Sequence, residues 1–279
     1  MKLLPGYRLA VAPRFHIDAD WPTRLRLGAG TEVGDDGFFP RGPWREPTAD
    51  ELAALVAAPP PGVLPVIGEP TAVPAPSPDD HVLLFQIPEH LRAAWWRRVD
   101  AAAETGGPIP GFEEFAAEVA EFLAFKRLDT AGSARMEAVV TEAGARSIRV
   151  DPDTGRPSGL GPTIAPWLAW PTGDRPTLPR LHAVVNLADE ATGVVIVNLT
   201  PAGLAAELDR RGLAVPATVG ESIATFLHTC PDHPPLRVRL APGEGCRLPA
   251  GGLILDADAT GHEEPGVMLL ISEDGRAGV

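Results

Sequence analysis

Five side chains in the second half of the chain are of the types that transfer protons and bind anions. They are Arg180 and His182 in "RLHAVV", Arg247 in "GCRLP", Asp256 in "LILDAD" and His262 in "TGHEEPG". An imidazole changes charge near neutral pH and so serves as general acid or base, while a guanidinium fork matches a carboxylate. Gathered in one polar pocket, His182, Asp256 and His262 would do catalysis, and Arg180 and Arg247 would hold an acidic cosubstrate. The plainer alternative is solvation. Arg180 and His182 alternate with Leu181, as on a strand with one wet face, and "TGHEEPG" reads as a turn.

Other clusters invite chemistry less. "HTCPDHP" at 228–234 groups His228, Cys230, Asp232 and His233, types that capture zinc, but two prolines stiffen it and no second ligand pair follows, so a loop is expected. "HIDAD" at 16–20 offers His16 and Asp18 and reads as a surface turn. Cys230 and Cys246 form no CxxC motif and are expected as idle thiols in a reducing cytoplasm. "GRPSGLG" lacks the lysine of a phosphate loop, and no Gly-x-Ser-x-Gly elbow occurs.

The elements that must position these residues fall into two halves. Residues 1 to about 46 alternate short apolar runs with turns, a β-rich opening. Thr48 with Glu51 three positions on is a capping box ahead of Leu52, Leu55 and Val56, which predicts a helix. A proline-rich connector covers about 58–80. "HVLLFQIP" predicts a buried strand, and "EHLRAAWWRRVDAAAET" a helix with Leu91, Trp95 and Val99 on one face. The next helix aligns Phe112, Phe115, Val119, Phe122 and Leu123, a stripe expected to be core packing. From residue 136 the period becomes two, in "MEAVVTEAG", "SIRVDPDTG", "RLHAVVNLADEATGVVIVNL", "LRVRLAPGEGCRLPAGGLILDA" and "GVMLLISEDG". Only "TPAGLAAELDRRG" and "VGESIATFLHTC" interrupt these strands as helices.

Helices first, then "SGLGPT", "RLHAVVNLADEATGVVIVNL", a helix and "APGEGCRLPAGGLILDADATGHEEPGVMLLI": this order resembles the iron(II)/2-oxoglutarate-dependent dioxygenases of bacterial specialised metabolism, within the cupin superfamily. The resemblance spans about 136–275. It implies an α+β fold: a double-stranded β-helix (jelly-roll, cupin-like) barrel over 136–279 behind a helical N-terminal elaboration over 1–135, the two forming one compact unit. It also implies an iron(II) held by a His-x-Asp pair and a distal histidine, with positions open for 2-oxoglutarate and oxygen. Where those ligands would fall, this chain carries Gly161, Thr163 and Leu255. A shifted alignment makes His182 and His262 the metal ligands, with Asp256 or Asp258 as the carboxylate and Arg180 or Arg247 clamping 2-oxoglutarate. Val184 then stands where the usual carboxylate would follow His182.

Composition narrows the function classes. A net charge of −13 repels phosphate backbones and argues against nucleic acid. No window reaches 18 uninterrupted apolar residues, and Pro5, Arg8 and Arg14 break any secretion signal, so a cytoplasmic protein away from membranes is expected. With 32 prolines and 29 glycines, turn-linked strands are favoured over a helical bundle. The expected function is that of a dioxygenase-like barrel without the standard iron triad, acting on or binding a small molecule by non-oxidative chemistry. The alternatives are an active iron(II)/2-oxoglutarate oxygenase with a non-standard metal site, and a non-catalytic partner-binding protein.

Overall fold

Local sequence sets most element ends. A computed structural model describes residues 3–4, 6–12, 15–34, 37–57, 81–106, 109–126, 128, 134–141, 181–216, 219–249, 254–258, 263 and 266–273. The strands are β1 (Arg8–Val11), β2 (Leu25–Leu27), β3 (Thr31–Gly34), β4 (Gly37–Pro40), β5 (His81–Gln86), β6 (Ala134–Thr141), β7 (Leu181–Asn186), β8 (Thr192–Val197), β9 (Leu236–Leu240), β10 (Glu244–Arg247), β11 (Ile254–Asp258) and β12 (Gly266–Glu273). The helices are α1 (Ala49–Leu55), α2 (Glu89–Thr105), α3 (Phe112–Phe125), α4 (Pro201–Arg210) and α5 (Val219–Thr229). The capping box forms at α1: Thr48 Oγ1 accepts from the Glu51 amide at 3.3 Å and the Thr48 amide donates to Glu51 Oε2 at 2.8 Å. Helix α2 stops at Gly106, whose φ of 63° is the left-handed conformation glycine adopts without strain. The proline-rich connector, "SIRVDPDTG" and "SGLGPT" lie outside the described residues.

The fold is mixed α+β. Six strands form one sheet in the order β1-β5-β10-β7-β12-β6, and four form a second, β11-β8-β9-β2; β3 and β4 make a separate hairpin. Every pair is antiparallel except β1 with β5. The expectation of a closed barrel is not met among the described residues. The two sheets lie face to face instead, and among the described residues their edge strands are not joined to one another. The N-terminal strands join the same sheets: β1 and β5 extend the larger and β2 the smaller.

Alternation along each strand divides the apolar residues into three layers. Between the sheets, Val82, Leu84, Val184, Cys246 and Met268 of the larger pack on Leu25, Leu27, Val194, Ile196, Leu236, Val238 and Leu240 of the smaller. On the larger sheet's outer face, Leu83, Phe85, Ala183, Val185, Leu269 and Ile271 meet Leu91 and Trp95 of α2 and Phe115, Val119 and Leu123 of α3. The aromatic stripe of α3 is therefore core, as its spacing predicts. On the smaller sheet's outer face, Val195 and Val197 meet Leu204 and Leu208 of α4 and Ile223, Phe226 and Leu227 of α5. Each such side chain contributes about 1.5–3 kcal/mol by leaving water. Gly245 lets β10 sit flat in the middle of the larger sheet: a Cβ there would fall 2.5 Å from the Val184 carbonyl oxygen and 2.7 Å from Phe85 Cζ.

Candidate functional site

Strand register decides which chemistry-bearing positions share a face, because directly opposed residues project to the same side of a sheet. Strand β11 pairs with β8 so that Leu255 opposes Ile196 and Asp256 opposes Val195. Ile196 belongs to the layer between the sheets and Val195 to the layer under α4 and α5. Position 255 thus belongs to the inter-sheet side, and position 256 to the helical side. In the larger sheet, Arg247 opposes Ala183 on one neighbour and Leu83 on the other, both in the layer under α2 and α3. His182 precedes Ala183 at a register irregularity: Ile271 of β12 opposes Ala183 but Ser272 opposes Leu181, so regular alternation does not extend to residue 182.

Of the sequence-predicted site, His182 and Leu255 each stand near the start of a strand, β7 and β11. Asp256 and Arg247 occupy positions on the two opposite outer faces. Arg180, His262, Gly161 and Thr163 lie outside the described residues. Leu255, in β11, stands where the resemblance would put the distal histidine, and Asp256 follows it. Among the described residues, no three His, Cys, Asp or Glu side chains converge as a metal-binding group.

The strand ends nearest this point are built from paired polar groups. Asn198, directly after β8, accepts from the Tyr7 amide through Oδ1 at 2.9 Å and donates through Nδ2 to the Tyr7 carbonyl at 2.8 Å. Leu248, just past β10, and Tyr7 both join the inter-sheet core. At the opposite end, the buried Asn186 donates to the carbonyls of Glu190 and Leu240 and accepts from the Ala188 amide and the Thr192 hydroxyl. Glu244 accepts from Arg24 at 2.6 Å and from the Ala241 amide at 2.8 Å, which pins the β9–β10 turn.

In "HTCPDHP", His228 and Thr229 close α5 and residues 230–234 form the loop that follows, with His233 turned into the interior. Its imidazole His233 is only 3 % exposed, and neither ring nitrogen has a hydrogen-bond partner among the described residues. Burial pushes its pKa down to about 4, against a smaller opposing pull from Glu207. Its ring meets Phe226 edge-on at 5.2 Å, and His228 meets Phe38 at 4.9 Å. Asp232 faces outward to Arg41 at 2.6 Å. Cys230 and Cys246 are free and buried; desolvation raises both thiols, Cys246 to about 12, so neither is a thiolate at neutral pH. The buried state of His233 escapes a sequence reading; its loop is tied to the chain around β2 and β3 through backbone carbonyls on either side of it. The Gly28 and Thr31 amides donate to the carbonyls of Pro235 and Pro231 there.

No protein-family model, curated protein or solved structure matches this chain.

Proposed function

We propose that the chain is a double-stranded β-helix protein, related to the iron(II)/2-oxoglutarate dioxygenases, that binds a small molecule between its two sheets and works without a redox metal. The observation that carries this is the path of the chain. From β7 to β12 the strands fall in the larger, smaller, smaller, larger, smaller and larger sheet. The β7–β8 arm pairs with the β9–β10 arm across both sheets, and β11 and β12 then wrap the far sides of β8 and β7. Two antiparallel arms coiled over two sheets are what a double-stranded β-helix consists of, and such folds take ligands at the mouth between the sheets.

The site sits where β7 and β11 begin. His182 is its proton-transfer group, Leu255 is an apolar wall where the related oxygenases hold metal, and Arg180 and His262 are its remaining candidate polar groups. This reading assigns no role to Asp256 or Arg247. Two buried thiols fit a reducing cytoplasm. No helix among the described residues is long and apolar enough to cross a membrane.

An anaerobic titration with iron(II) and 2-oxoglutarate tests the metal-free reading. No visible charge-transfer band and no 2-oxoglutarate turnover are expected, and either signal would restore the oxygenase with a non-standard site. A thermal-shift screen of small carboxylates and apolar metabolites tests binding. A compound at one hundred times its Kd stabilises by about 2.7 kcal/mol, and His182→Ala should abolish that gain. A screen in which nothing shifts the wild type would favour the partner-binding alternative.

A further inference from the structure

We infer that the β3–β4 hairpin is an arm latched by the loop that carries His233, and that a proton on His233 releases it while both sheets stay folded. Among the described residues β3 and β4 ladder only onto each other, so no run of strand pairing ties the hairpin to either sheet. Its root is the Leu27–Arg45 pair, where backbone bonds of 2.8 and 2.9 Å join the outgoing and returning chain beside β2. Beyond that root the hairpin sits on residues 230–235. The Gly28 and Thr31 amides donate to the Pro235 and Pro231 carbonyls at 2.9 and 2.7 Å, Arg41 pairs with Asp232 at 2.6 Å, and Phe38 stands edge-on to His228. Phe38 also enters the layer under α4 and α5, in the cluster that holds Phe226 and Cys230. The seat is close: at Gly30, where φ is 123°, a Cβ would collide with the Pro231 carbonyl oxygen.

His233 is the latch because its ring has nowhere to put a second proton. It is buried against Phe226, and an imidazolium carries two N–H donors, for which neither ring nitrogen has a partner among the described residues. The charged groups around it are committed elsewhere. On α4, Glu207, the charge that favours an imidazolium here, is bonded by Arg210 at 2.6 and 2.8 Å and by Arg211 at 2.8 Å. At the end of α5, His228 packs on Phe38; on the loop itself, Cys230 is a buried thiol and Asp232 faces Arg41. Strand β3 brings the buried Thr31 hydroxyl, while Glu32 is exposed. A bare charge in that setting is costly, so the proton is taken up only as the ring leaves its place. The Pro231 and Pro235 carbonyls, on either side of His233, then move away from the hairpin amides they hold.

The two cysteines read the outcome. Cys230 shares a cluster with Phe38 of the arm, and Cys246 lies in the layer between the sheets. Dithiodipyridine labels thiols in acid as well as at neutral pH, and mass spectrometry tells the two sites apart. Corrected for the reagent's rate on a free thiol, labelling of Cys230 should rise about fiftyfold from pH 7 to pH 4.5, the factor expected when a ring with a pKa of about 4 in the closed arm regains its ordinary value in the open one. Cys230 should react ahead of Cys246 throughout, and low concentrations of urea should speed Cys246 while leaving Cys230 nearly unchanged. Gly30→Ala should speed Cys230 at pH 7 with its urea response still small. His233→Leu should abolish the acid rise. Asp232→Asn and His228→Gln, which remove the other acid-sensitive groups beside the hairpin, should leave it in place, so the assignment holds even if the leucine variant fails to fold. Cys230 and Cys246 reacting together, with the same urea dependence, would overturn the arm. An acid rise that survives His233→Leu, or that is lost in Asp232→Asn or His228→Gln, would overturn the latch.

Discussion

Asn186 and His233 are both buried polar side chains at the end of a layer, yet their surroundings are opposite. All four hydrogen bonds of the Asn186 amide are made, tying the β7–β8 turn to the end of β9. Among the described residues the two ring nitrogens of His233 make none, and the Thr31 hydroxyl of β3 is likewise buried without a partner. A buried polar group costs little when paired and its full desolvation when not. The first region therefore stores specificity, since the turn can adopt only the geometry its amide dictates, and the second stores a liability that acid would release.

Replacing Asn186 with Leu should give the largest loss. It strands two carbonyls, an amide and a hydroxyl in the core, so about 3 kcal/mol or more should vanish from the denaturant-extrapolated stability. A loss under 1 kcal/mol would mean that water reaches that turn. The next effect comes from protons. The ordinary imidazole pKa of 6.5 falls to about 4 at His233 on folding. Between those values the unfolded chain binds a proton that the folded chain refuses, so stability declines as pH drops from 6.5 to 4, by up to about 3 kcal/mol. Urea melts at pH 7, 5.5 and 4.5 should trace this decline, and His233→Leu should flatten it without lowering stability at pH 7.

Thr31→Val should be smaller and of opposite sign to the Asn186 change. Removing an unpaired hydroxyl should stabilise by about 1 kcal/mol, seen as a higher denaturation midpoint at unchanged m-value. The smallest effect lies outside both regions. Glu51, held down to about 2 chiefly by hydrogen bonds from Arg45, supports the capping box of α1. Its contribution is present above pH 4.5 and disappears as pH falls toward 2. Glu51→Gln should therefore cost under about 1 kcal/mol at pH 7 and nothing near pH 2.

The helices were legible from the sequence because their signals are local: Thr48 and Glu51 are three residues apart, and the face of α3 repeats every three to four. The strands were legible from their alternation as well. The order of strands was not. Strand β10 lies between β5 and β7, and nothing in a run such as "EGCR" names neighbours from opposite halves of the chain. The candidate site suffers from the same gap, since one residue of register separates an inter-sheet position such as 255 from an outer one such as 256. His233 was legible as a residue type and illegible as a burial, because the ring it packs on, Phe226, comes from α5 and its loop is held by backbone bonds to Gly28 and Thr31 some 200 residues earlier.

The insertion of β5 between β1 and β10 has a consequence for synthesis on the ribosome. The first third of the chain emerges with one edge of β5 already paired to β1 and the other awaiting a partner more than 150 residues downstream. Until β10 arrives, the nascent protein presents an apolar ribbon of the kind that recruits chaperones or other nascent chains. Expression yield should therefore respond more to translation speed and chaperone supply than to the stability of the finished molecule.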